Sequence, residues 1–139
     1  MDIEDLLEVL DNTKTSLNRL RELLEIEFDP ELDEIIIRDA KIKRFEFCFE
    51  MFWKLMQKYL REIELVDCYS PRSCFRESLK VGLINENETE IALEMARERN
   101  LLVHVYNEKL AQNFVKKLEV YYRLMKDVVE RIEDRIKKA

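Results

Sequence analysis

The run Arg44-Phe45-Glu46-Phe47-Cys48-Phe49-Glu50-Met51-Phe52-Trp53-Lys54 sits inside a longer series whose spacing decides the fold. Ile42, Phe45, Phe49, Phe52, Met56, Leu60 and Ile63 recur every three or four residues, which predicts one long helix over about Leu32 to Ile63. Phe47, Met51, Leu55 and Tyr59 widen its apolar arc beyond a single stripe. An arc that broad must meet more than one neighbour, so this helix is either the centre of a bundle or a helix that also dimerises. Glu50 and Lys54 lie four apart on its wetter side, an exposed pair worth about 0.2–0.5 kcal/mol.

Outward from this helix the chain reads as further helices. Towards the N-terminus, Leu6, Leu10, Leu17, Leu20 and Leu24 mark an amphipathic helix over roughly Ile3 to Ile26, with Leu7 and Leu23 broadening its stripe. Asp29-Pro30-Glu31 divides the two helices, because proline lacks an amide proton and fits only a first turn. Towards the C-terminus, Ser70-Pro71-Arg72 has the form of N-cap, first helical residue and helix body. Phe75, Leu79 and Leu83 follow on one face of this short helix, and Gly82 terminates it. Asn85 to Thr89 offers caps for a fourth helix through Ile91, Met95 and Leu102. After a break near Tyr106-Asn107, a last helix follows Leu110, Phe114, Leu118, Tyr121, Met125, Val128 or Val129, Ile132 and Ile136, its charged final turns expected to fray. One glycine and two prolines leave little material for hairpins. The expected architecture is all-α, an antiparallel four-helix up-and-down bundle with an additional short helix, forming a single domain over residues 1–139.

Composition narrows the function. With 24 basic and 30 acidic residues the net charge is −6, which opposes indiscriminate attraction to nucleic acid but permits a local basic pocket. No apolar run reaches the roughly 18 residues that span a bilayer, so no membrane association is expected. Cys48, Cys68 and Cys74 are an odd set without zinc-site spacing or a Cys-x-x-Cys pair, and they read as inert thiols of a cytoplasmic protein. The single histidine removes the Glu-x-x-His motifs of di-metal bundles, leaving Glu46 and Glu50 as a carboxylate pair without metal partners. Trp53 and its neighbouring phenylalanines follow the helical period and read as core, not as a base-stacking platform.

That histidine stands in Arg99-Asn100-Leu101-Leu102-Val103-His104-Val105-Tyr106, where a guanidinium, an amide, an imidazole and a phenol fall within two helical turns. These groups suit attack of a ribose 2′-hydroxyl on the adjacent phosphodiester: His104 moves the proton, Arg99 stabilises the phosphorane, and Asn100 supports either. The same groups also suit simple anion binding, or a capping and salt-bridging set. On a straight helix Arg99 and His104 point about 140° apart. Either the helix ends near Val103 and the imidazole turns back, or the site is composite and built across a two-fold axis. Arg72, Arg76 and Lys80 share a second helix face, as a phosphate contact or a solvated stripe, and Arg97 with Arg99 offers a further basic candidate.

With these residues in view, the chain resembles the HEPN superfamily, marked by Arg-x4-6-His near the end of a helical bundle. More narrowly, it resembles the nucleotidyltransferase substrate-binding subfamily. Arg44 to Lys54 is similar to that subfamily's long-helix motif, and Ser70-Pro71-Arg72 with Phe75-Arg76-Glu77 and Gly82-Leu83-Ile84 to its middle motif. Leu102-Val103 stands where small hydroxyl-bearing residues are usual, and Ile91 where tryptophan is common, so the last motif is nearer the toxin-like form. The resemblance implies a HEPN-like homodimer and a minimal nucleotidyltransferase partner, in a two-component or toxin–antitoxin pair. It implies a nucleotide- or substrate-binding subunit or, alternatively, a metal-independent endoribonuclease with Arg99 and His104 as the catalytic pair. In that alternative Tyr106 maps onto the tyrosine that the partner adenylylates to silence the nuclease. Candidate nucleotide or anion ligands are Arg99, Asn100, His104, Arg72 and Arg76, with RNA or a nucleotide bound. No cofactor is expected in the chain itself, ATP entering only as the partner's substrate. A structural helical adaptor is the third reading.

Overall fold

A computed structural model describes residues 2–26, 34–105 and 107–139. The chain forms α1 (Ile3–Glu25), α2 (Glu34–Tyr59) continued by a π-helical turn (Leu60–Glu64), α3 (Pro71–Lys80), α4 (Glu86–His104) and α5 (Glu108–Lys138). The expected breaker Asp29-Pro30-Glu31, the expected helix start at Leu32, and Tyr106 lie outside the described residues.

Local chemistry sets the ends of these helices. Asp2 accepts the Asp5 amide at the start of α1, whose first turn also carries Glu4 and Asp5 against the positive end of the helix dipole. Ser70 caps α3 by accepting the Ser73 amide, with Pro71 in the first turn as the sequence predicts. Gly82 follows α3 at φ +75°, the left-handed conformation that glycine adopts without strain. Asn85 and Glu88 form a reciprocal capping box on α4. Asn107 accepts the Leu110 amide to start α5.

Packing directions follow from which residues meet. Asp5 pairs with Lys58, Thr13 and the Cys48 thiol reach the carbonyls of Met51 and Ser16, and Arg44 donates to the Arg19 carbonyl. Rising numbers on α1 meet falling numbers on α2, so the two are antiparallel. Glu88 with Arg131 and Glu98 with Tyr121 make α4 antiparallel to α5 in the same way. Phe45 meets Phe114 and Tyr59 meets Arg135, so α2 and α5 run parallel. The described residues make an all-α up-and-down bundle of four substantial helices, with α3 as the short one, against α2 and α4.

The core confirms the register read from α2. Phe45, Phe49, Phe52, Leu55, Met56 and Tyr59 are buried, with Leu6, Leu10, Leu17 and Leu20 from α1 and Leu118, Tyr121, Met125 and Ile132 from α5. Phe45 packs edge-on to Phe114 at 4.8 Å between centroids, and Phe75 from α3 lies against both Phe49 and Phe52. Each such ring contributes about 1.5–3 kcal/mol through burial. No described helix is long and apolar enough to cross a membrane.

Two local expectations are corrected. Cys68 and Cys74 form a buried disulfide with Cα atoms 5.2 Å apart, instead of standing as free thiols. The backbone turns sharply at Leu65, φ +59°, and the Gln57 amide holds the Cys68 carbonyl at 2.7 Å, folding the connection back onto α3. The cysteines therefore no longer argue for a reducing compartment. Cys48 does remain a free buried thiol, and burial pushes its pKa up to about 12. The second correction is that α5 does not fray. Arg135 donates to the Tyr59 hydroxyl and to the Val81 and Gly82 carbonyls, pinning the last turns to the corner after α3.

Candidate functional site

The polar cluster read from the sequence occupies the last two turns of α4, reached after a helix whose buried face is Thr89, Ala92, Met95, Ala96 and Leu102. That face fixes the rotation of α4 and directs Arg99 towards α2. Its guanidinium lies over the Phe49 ring, 5.3 Å from the centroid, and Nη2 donates to Glu50 Oε1 at 2.9 Å. Nη1 reaches Asn100 Oδ1 at 3.4 Å, and the side chain is 23% exposed. Nε is buried without a hydrogen-bond partner among the described residues. Arg99 is thus held on two sides and keeps donor capacity towards solvent.

His104 is the last residue of α4 and is exposed, as are Asn100, Leu101, Val103 and Val105. Helix continues through His104, with the Val105 amide donating to the Leu101 carbonyl at 2.7 Å. The imidazole therefore does not turn back towards Arg99 within one chain. Tyr106, two residues on, lies outside the described residues.

Arg72 and Arg76 are exposed on α3, and no described hydrogen bond or ion pair joins them to Arg99, Asn100 or His104. Lys80 pairs with Glu77 at 3.1 Å, in keeping with the solvated-stripe reading of that residue. Arg97 is also exposed. Among the described residues no three His, Cys, Asp or Glu side chains gather so as to hold a metal ion. Trp53 is half-buried against the core, as its periodicity predicts.

Sequence reasoning missed the role of Glu50, weighing it as partner to Lys54 or as a carboxylate pair with Glu46. Lys54 does stand 3.7 Å from the other carboxylate oxygen, but Glu50 chiefly orients Arg99 from a helix 49 residues away. No spacing rule could reveal that pairing. Behind the cluster, Glu98 links α4 to α5, accepting from Lys117 at 2.5 Å and from the Tyr121 hydroxyl at 2.9 Å. Burial, then the hydrogen bond to Glu98, pushes the Tyr121 phenol well above its ordinary value, so it stays a neutral donor.

Solved structures share this arrangement of helices. A crystal structure of a protein from Thermus thermophilus is 41% identical, covering 86% of this chain and 98% of its own, with a TM-score of 0.78. A tri-AMPylated Shewanella oneidensis HEPN toxin in complex with MNT antitoxin is 19% identical over 96% of this chain and 98% of its own, with a TM-score of 0.75. A mutant of the toxin–antitoxin MntA–HpeT is 17% identical over 93% and 97%, also at 0.75. No curated protein matches the sequence. The helical bundle is thus of the same fold class as these structures, the HEPN toxin included. Within that class the chain belongs to the nucleotidyltransferase substrate binding protein-like family, whose profile matches residues 8–134.

Proposed function

We propose that this chain is the HEPN-type partner of a minimal nucleotidyltransferase and acts as a metal-independent endoribonuclease, silenced when the partner adenylylates Tyr106. The observation that carries this reading is the seating of Arg99: held by Glu50 and Phe49, it presents its remaining donors one turn before an exposed imidazole. The HEPN toxin of similar fold is itself AMPylated and complexed with an MNT antitoxin.

Because Arg99 and His104 splay on one helix, the site is completed by a second copy. The outer face of α2 suits that copy, with Ile36 67% and Phe47 58% exposed and Lys43 lying over the Phe47 ring. Glu50 and Lys54 flank this stripe, and a two-fold contact would set each opposite the other. In the dimer one imidazole takes the proton of the ribose 2′-hydroxyl as that oxygen bonds to phosphorus. The P–O5′ bond breaks, and the 5′-oxygen takes a proton from the second imidazole, leaving a 2′,3′-cyclic phosphate and a 5′-hydroxyl. Arg99 and Asn100 bear on the phosphorane oxygens.

Purified dimer incubated with RNA in chelator should release cyclic-phosphate ends, and His104→Ala should slow this by about 10²–10⁴-fold. Equal cleavage by both proteins, or none by either, removes the nuclease. The family match supports a second reading, a nucleotide- or substrate-binding subunit for the same partner. That reading predicts binding to the transferase, but no RNA cleavage and no nucleotidyl mass increment on Tyr106 when transferase and ATP are added.

A further inference from the structure

Arg38 occupies the core register of α2, in phase with Ile42, Phe45, Phe49, Phe52 and Met56, where an apolar side chain belongs. It is buried there, its side chain only 9% exposed. Its Nε has no hydrogen-bond partner among the described residues. Two carboxylates stand nearby without hydrogen-bonding geometry, Asp39 at 3.7 Å from Nε and Glu108 at 4.0 Å from Nη2. A buried guanidinium left this incompletely paired costs free energy unless something else accepts from it.

Arg38 lines a cavity of about 540 Å³ between the start of α2 and the first turns of α5. Lys41 and Lys116 line it too, with Gln112 between the helices, so three cations converge where the described residues supply two acidic walls, Glu34 and Glu108. Ile37 and Val115 give it an apolar side. The volume lies in the range of small-ligand sites. A guanidinium fork with two ammonium groups suits a phosphate, the apolar wall suits a flat base, and a rim carboxylate suits sugar hydroxyls, which a bare phosphate lacks.

We propose that this cavity is a binding site for a nucleoside monophosphate, with Arg38, Lys41 and Lys116 on the phosphate and Glu108 on the ribose. The site is separate from Arg99 and His104 and does not depend on RNA cleavage.

Titration calorimetry of the full chain with AMP, adenosine and inorganic phosphate tests it. AMP should bind, and adenosine and phosphate each about tenfold more weakly. Arg38→Gln should weaken AMP by about tenfold or more and Lys116→Gln by a few-fold, while His104→Ala binds as wild type. Should Arg38→Gln fail to fold, the exposed Lys116→Gln and Lys41→Gln decide: weakened binding supports the site, and unchanged binding overturns it. The proposal is also overturned by no AMP binding at millimolar concentration, by phosphate binding as well as AMP, or by loss of binding in His104→Ala alone. Failure of RNA cleavage leaves these outcomes untouched, so the two readings fall separately.

Discussion

Arg99 and Glu50, 49 residues apart, meet at 2.9 Å, and the Phe49 ring beside Glu50 carries the same guanidinium. One turn of α2 therefore supplies both the carboxylate that orients the arginine and the aromatic face that supports it. The carboxylate also opposes any anion that the arginine approaches. Glu50→Gln keeps an oxygen to accept from Nη2 and removes that charge. RNA affinity at low salt should rise several-fold, about 1 kcal/mol. Glu50→Ala frees the guanidinium and should lower the cleavage rate. Fluorescence anisotropy and single-turnover cleavage separate the two, and weaker binding by Glu50→Gln would contradict this account.

Phe47 leaves more than half of its surface in solvent on the outer face of α2. Phe47→Asp should yield a monomer by sedimentation with its far-ultraviolet helical signal intact, and cleavage should be lost with the dimer. A Phe47→Asp protein that still sediments as a dimer places the two-fold contact elsewhere.

Glu88 closes the capping box of α4 and accepts from Arg131 at 2.8 Å. The arginine, opposed in part by burial, holds its carboxyl below the ordinary value of 4.5. Because the folded pKa is depressed, this stabilisation is complete above that value and is lost as pH falls through the lowered folded value. At pH 7, Glu88→Gln should lower stability by about 1–2 kcal/mol. The gap to wild type should narrow below pH 4.5. Urea denaturation from pH 7 to pH 3 reads the gap, and a constant one would remove Glu88 as its source.

The Cys68–Cys74 disulfide spans a sequence separation of 6 residues, a short loop, so its restraint on the unfolded chain is small. Reduction should lower stability by about 2 kcal/mol. The melting temperature should fall by roughly 6 °C. Cys74→Ser should melt as the reduced protein does and be indifferent to reductant. Identical melting of wild type with and without reductant would show that the bond is absent in solution.

What could be read from the sequence was local. Ser70 and Pro71 set the start of α3, and Asn85 and Glu88 the start of α4, because caps act over three or four residues. The long apolar arc of α2 announced a helix with several neighbours. The series read along α2 began at Ile42 and passed over Arg38, one turn earlier in the same register, and only the structure sets that arginine in one cavity with Lys116 of α5. The Glu50–Arg99 pair and the disulfide were hidden for one reason. Both depend on chain reversals, and the reversal before Cys68 is made by Leu65, a residue that does not advertise a left-handed turn. Fraying was wrongly expected because charge density in the last turns was read without Arg135, whose partners lie more than fifty residues upstream.

Leu65 and Gly82 are the positive-φ positions among the described residues, and they stand at the two ends of the segment that contains α3. That segment is a short rod slung between two corners, one fastened by a sulfur bond and the other by Arg135. Phe75 on that rod leans on the Phe49 ring, which also meets Phe45 and carries the Arg99 guanidinium. Substitutions at either corner should be felt at the arginine, although neither corner touches it.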